Sequence, residues 1–151
     1  MSSTGSKRIS SSRLRQITEF DISAICWKAD EQRKKADKTT SRLVDIPTVV
    51  HQLRTKAVDH YVLDEQILLV YTVGTPWYST SLVLEELLVL RLYDGKCRIK
   101  DVCDLLDDIA DEHEVACTYV GSAASERPEV LRRAYMRYGF KVEDSGLVKW
   151  R

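Results

Sequence analysis

Apolar positions along the chain change period several times, and the changes mark out its elements. Residues 13–18 (RLRQIT) alternate polar and apolar, which predicts a strand. Thr18, with Asp21 three residues on, resembles a loose capping box. Ile22, Ile25, Cys26 and Ala29 then form one apolar stripe at helical spacing. The charged stretch that follows, KADEQRKKADK, is expected to fray into a mobile connection. Pro47 suits the first turn of a second helix, whose apolar face is Val49, Val50, Leu53 and Ala57. Three strand-like runs come next, at 61–63, 67–73 and 82–92. A tight turn at Asp64–Glu65 separates the first two, and Gly74 and Pro76 break the pattern before the third.

The most regular element follows the turn at Asp94–Gly95. Ile99, Val102, Cys103, Leu106, Ile109, Ala110 and His113 keep helical spacing over four turns. The opposite face carries Asp101, Asp104, Asp108, Asp111 and Glu112. It reads as a solvated face, because nothing in the spacing converges these carboxylates on a metal. Residues 115–120 read as a buried strand. A loop over 121–127 leads to a helix opened by Pro128 and running to about Arg137, with Val130, Leu131, Ala134 and Tyr135 inward. Two short strands around Asp144–Ser145–Gly146 close the chain. The order predicts an α/β (α+β) domain: a mixed, mostly antiparallel sheet with a central parallel βαβ unit and helices on both faces. Residues 1–12, rich in Ser and basic, read as a flexible tail, and 13–151 as one domain.

Composition removes some functions. The 23 basic and 23 acidic side chains cancel, so nothing draws the whole chain to nucleic acid or an anionic membrane. The apolar runs are too short to span a bilayer, and no apolar stretch follows the basic start, so the expected location is the cytoplasm. Cys26, Cys97, Cys103 and Cys117 lack CxxC or paired metal-ligand spacing, and Cys26 and Cys103 lie on apolar helix faces as small hydrophobes. His51, His60 and His113 show no triad or ligand spacing. His113, on the apolar stripe, reads as a core-edge side chain.

The opening RLRQITEFDISAICWKADE and the ending AYMRYGFKVEDSGLVKW, in this order of elements, resemble the first strand and helix and the closing helix and hairpin of the GNAT N-acetyltransferase family. In the ending, Tyr135 lies four residues before Gly139–Phe140. The stretch VGTPWYSTSLVLEELLVLRL resembles more narrowly GNAT-like proteins carried by tailed bacteriophages. The resemblance implies acetyl-CoA lying between two splayed parallel strands, its pyrophosphate on the loop that opens the following helix. Here that loop is Gly95, Lys96, Cys97, Arg98 and Ile99, preceded by Asp94. The family pattern of Gln or Arg, then Gly, then Gly or Ala falls on Asp94, Cys97 and Ile99, so all three signature positions are changed. Lys96 and Arg98 keep positive charge there.

The same resemblance makes Tyr135 the acid for the leaving thiolate. Backbone N–H groups near Leu90 and Leu92 become donors to the pantetheine arm or thioester carbonyl. Glu85 and Glu86 are adjacent on a strand, so one faces each side of the sheet; Glu86 is the chosen base. Arg127, Arg132, Arg133 and Arg137 would either meet the 3′-phosphate of CoA or solvate their helix. Trp77 and Tyr78, after Pro76, would either line an acceptor or protein interface or clamp their loop to the core. Two functions follow: acetyl-CoA-dependent acetylation of an amine on a small molecule or protein, or a protein that keeps the fold without the catalysis and binds an assembly partner, as in a phage particle.

Overall fold

A computed structural model of the chain describes residues 7–35, 43–121, 127–143, 147 and 149. Its strands are β1 (Leu14–Arg15), β2 (Asp59–Leu63), β3 (Ile67–Gly74), β4 (Val83–Arg91) and β5 (Cys117–Tyr119). Its helices are α1 (Glu19–Lys35), α2 (Ile46–Arg54), α3 (Ile99–His113) and α4 (Pro128–Arg137). The strands lie in the order β1-β2-β3-β4-β5. The first four are antiparallel neighbours, and β4 and β5 are parallel across α3. The chain is thus a mixed α+β domain, with its parallel pair at one edge of the described sheet.

Strand alternation divides the core. Leu63, Ile67, Leu69, Tyr71 and Leu84 pack with Val102, Cys103, Leu105, Leu106 and Ile109 of α3 and Tyr135 of α4. Val62, Leu68, Val70, Leu90 and Leu92 pack with Ile25 and Ala29 of α1 and Leu53 of α2. Helices therefore cover both faces, as the alternation of apolar residues requires.

Strand β1 is shorter than its pattern, and side chains explain why. It pairs only through Leu14 with Leu63 and Arg15 with Val62. Beyond that, the Gln16 side-chain amide donates to the His60 carbonyl at 2.8 Å, and the Ile17 N–H donates to His60 Nε2 at 3.0 Å. Side-chain contacts replace the ladder and turn the chain into α1. There Asp21 accepts the Thr18 N–H at 2.8 Å, half of the expected capping box. Of the stretch expected to fray, residues 28–35 stay helical in α1, with Asp30 paired to Arg33 and Lys34, and Glu31 to Lys35, while 36–38 lie outside the described residues. Helix α2 starts at an Asp45 cap and ends before Ala57, which is exposed.

Of the flexible tail expected through Ser12, residues 1–6 lie outside the described residues, and the part around Arg8 and Ile9 is seated on the domain. Ile9 is 1% exposed, and the N–H groups of Arg8 and Ile9 donate to Asp108 at 2.9 and 2.8 Å. Asp108 is itself buried, so it does not belong to a wet acidic face. It satisfies two backbone donors that packing of Ile9 removes from water. Val130, expected to face inward, and His113, expected at the core edge, are exposed. The turn of the expected closing hairpin, residues 144–146, lies outside the described residues, and 140–143 form no strand.

Candidate functional site

Strand β4 carries the irregularity that builds the site. Its register with β3 runs Val70 with Leu88, then Tyr71 with Glu86, leaving Leu87 as an extra residue. An inserted residue reverses the side-chain alternation. Before it, Leu84 faces α3 and α4; after it, Leu90 and Leu92 pack toward α1 and α2. Glu86 comes just before the bulge and so stays on the α3–α4 side, while neighbouring Glu85 is exposed.

Glu86 is buried at 9% exposure, and its Oε2 accepts the Gly121 N–H at 2.9 Å. Burial pushes its carboxyl up to about 7; the Gly121 bond opposes the shift, and Glu85 adds to it. Tyr135 is 2% exposed, and its hydroxyl lacks a hydrogen-bond partner among the described residues. Burial and then the Glu86 charge hold that hydroxyl well above the ordinary tyrosine value, so the phenol keeps its proton. Phe140 packs edge-on against the Tyr135 ring, at 5.3 Å between centroids. The two side chains chosen from sequence as base and acid, Glu86 on β4 and Tyr135 on α4, lie near enough for the Glu86 charge to act on the Tyr135 hydroxyl, with no hydrogen bond between them.

Both stand where the parallel strands part. The β4–β5 pairing covers Val83–Glu85 against Cys117–Tyr119 and stops, while β4 continues to Arg91. Among the described residues, a cleft of about 650 Å³ lies between β5 and the segment after α4. Thr118, Val120, Gly121, Tyr135 and Phe140 are among its lining residues. A second hollow of about 450 Å³, lined largely by Val49, Leu53, Val58, Leu87 and Leu88, lies between α1, α2 and β4.

The backbone donors expected at Leu90 and Leu92 are engaged elsewhere. The Leu92 N–H donates to the Gln66 carbonyl at 2.8 Å. Antiparallel alternation then makes Leu90 and Leu68 the next hydrogen-bonded pair. The donors directed away from β3, toward the side that β5 has vacated, are those of Val89 and Arg91. The bulge at Leu87 sets this phase, and a sequence pattern does not reveal a bulge.

The loop before α3 is closed by the chain's own groups. The Cys97 N–H donates to Gln66 Oε1 at 2.7 Å, and the Arg98 N–H donates to Asp101 Oδ2 at 2.9 Å. Arg91 donates to the Cys97 carbonyl. A Cβ on Gly95 would lie 2.1 Å from Gln66 Cδ, so Gly95 leaves room for the glutamine. Cys97 is buried, its thiol pushed up to about 12 by burial and by Asp101 and Asp64. Lys96 and Arg98 are exposed, and Ile99 half-buried. Two amides that open the helix are already bonded, and the Asp101 carboxylate is among their acceptors. That arrangement does not suit a pyrophosphate.

An ion-pair network secures the same end of the molecule and was missed from sequence. Asp21 is fully buried. It accepts from Arg15 at 2.7 and 3.0 Å, from Thr18, and from the Tyr93 hydroxyl at 2.9 Å. Arg15 beside it is the chief reason its carboxyl lies well below the usual range. Arg13 joins Asp64 to Asp101.

The remaining candidates are dispersed. Trp77 and Tyr78 meet edge to face and are 95% and 69% exposed, so their loop is not clamped to the core. Arg132, Arg133 and Arg137 are exposed on α4. Among the described residues no group of three His, Cys, Asp or Glu is placed to hold a metal, and no helix is long and apolar enough to cross a membrane. No family model, curated protein or solved structure matches the chain.

Proposed function

We propose that the chain is a GNAT-like N-acyltransferase in which Glu86 and Tyr135 form an acid–base pair acting on an amine of a small molecule or protein. The observation that carries this reading is the buried Glu86 carboxyl, pushed up to about 7 and fixed by the Gly121 N–H, its charge acting on a tyrosine hydroxyl that has no partner among the described residues. A base poised near neutral pH removes a proton from an ammonium without being permanently ionised. A hydroxyl that keeps its proton can give it to a departing group.

Acetyl-CoA would supply a thioester carbon open to attack by the amine. The chain's residues suit one end of such a donor and not the other. Near Glu86 and Tyr135, the Val89 and Arg91 N–H groups face the side where β5 has ended. At the loop, Gln66 and Asp101 occupy the donors that a pyrophosphate would use. Cofactor affinity is therefore expected to be lower than an open glycine loop would give.

The test is acetylation of a panel of amines, peptides and the protein's own lysines, followed by mass spectrometry. Acetylated product from the wild-type chain, lost in Glu86→Gln and slowed in Tyr135→Phe, supports the reading. Equal product from all three proteins overturns it. A second reading is favoured by the closed loop: the fold is kept for binding an assembly partner, and the chain does not bind acetyl-CoA at all.

A further inference from the structure

His60 lies on β2, 3% exposed, on the same face as Val62. Its Nε2 accepts the Ile17 N–H at 3.0 Å, so in this geometry Nε2 carries no proton and Nδ1 does. Nδ1 is buried without a hydrogen-bond partner among the described residues. The backbone of the same residue accepts the Gln16 side-chain amide at 2.8 Å. One residue thus holds the β1–α1 connection to β2 by two bonds. β1 itself contributes only two paired residues.

We propose that His60 is an acid-released latch. The neutral ring holds Ile17 through Nε2. A proton added at Nε2 would face the Ile17 N–H, replacing an acceptor with a second donor, and the connection between β1 and α1 would loosen at Ile17 while the Gln16 bond to the His60 carbonyl stays. The segment that follows leads to Asp21, which holds the Tyr93 hydroxyl at 2.9 Å. Release would therefore reach the start of the loop before α3.

The charges around the ring leave the proton poorly placed. Lys56, in the turn after α2, disfavours a charged imidazole, and Asp59, its neighbour on β2, favours one. The carboxylates in the first turn of α1 are already engaged: Asp21 by Arg15, Thr18 and Tyr93, and Glu19 by Arg54. Burial is the chief cause that holds the ring below the ordinary histidine value, and Lys56 adds to it.

The experiment is nitrogen-15 NMR of the full chain between pH 7.5 and 4.5, reading the His60 ring and the exchange protection of the Ile17 amide. The expected result is the Nδ1–H tautomer at neutral pH. On acidification, the ring should protonate below the ordinary histidine range while Ile17 protection falls roughly tenfold, the loss of about one net hydrogen bond. His60→Gln, which keeps an acceptor but does not titrate, should hold Ile17 protection flat over the same range. The latch is overturned if the ring protonates at or above the ordinary value with Ile17 unchanged. It is equally overturned if the neutral ring carries its proton on Nε2, a readout on the wild-type chain that does not depend on the variant folding.

Discussion

Glu86 Oε2 accepts the Gly121 N–H at 2.9 Å, tying the carboxyl of a β4 residue to the backbone just past the end of β5. The bond lies where the parallel strands stop pairing. Because Glu86 is buried, its neutral form is favoured in the folded chain, and its value rises to about 7. The sign follows from linkage. A raised folded value gives stability that is complete below the ordinary glutamate value of about 4.3 and lost as pH rises through about 7. Wild type is expected to lose on the order of 2–3 kcal/mol from this group between pH 4.5 and 8.5. In Glu86→Gln that loss should disappear. Urea unfolding midpoints measured across pH would show it.

Asp108 is expected to be the anchor of the N-terminal segment. Asp108→Ala leaves the Arg8 and Ile9 N–H groups without their acceptor, at a cost of about 1–3 kcal/mol. Hydrogen exchange should show protection lost first at Ile9. Asp108→Asn keeps one acceptor oxygen and should lose less.

Asp21 concentrates more bonds than any surface pair near it. Asp21→Ala strands the Arg15 guanidinium and the Thr18 N–H, and is expected to destabilise the chain by about 3–5 kcal/mol, the range for breaking a buried pair. Tyr93→Phe removes one of those bonds and should cost about 1 kcal/mol. Thermal or urea denaturation of the two variants separates these values.

Gln66 and Gly95 should behave as a coupled pair. Gly95→Ala pushes a methyl into the Gln66 amide, which must then leave the Cys97 N–H, with an expected loss of about 1–2 kcal/mol. In a Gln66→Ala background the same change should cost less. Gln66→Ala also frees the Cys97 N–H, and is expected to tighten acetyl-CoA binding a few-fold, as gaining about one hydrogen bond would. Calorimetry on the four proteins tests both statements.

Much of the fold was legible because periodicity carries it. Six apolar positions and His113 at helical spacing over four turns placed α3 at Ile99–His113, and a continuous β-branched and aromatic run placed β3. Glu86 and Tyr135 were legible as candidates, though only the structure shows that both are buried and that the Glu86 charge acts on the Tyr135 hydroxyl. Three features left no sequence signal. Asp108 sits among exposed acids, and its burial depends on Ile9 arriving from nearly a hundred residues away. The bulge at Leu87 adds one apolar residue to an apolar run, so the donors moved from Leu90 and Leu92 to Val89 and Arg91 unannounced. The closure of the loop depends on Gln66, a turn residue whose partner Cys97 lies 31 positions along the chain.

The account turns on whether this chain binds an acyl donor at all. The most direct measurement is a calorimetric titration of the full chain with acetyl-CoA, with Tyr135→Phe as control. Saturable binding below about 1 mM is expected, a free energy stronger than about −4 kcal/mol, with similar affinity in the control. No heat of binding at millimolar acetyl-CoA, from protein shown to be folded, would contradict the acyltransferase reading and leave the assembly-partner reading in its place.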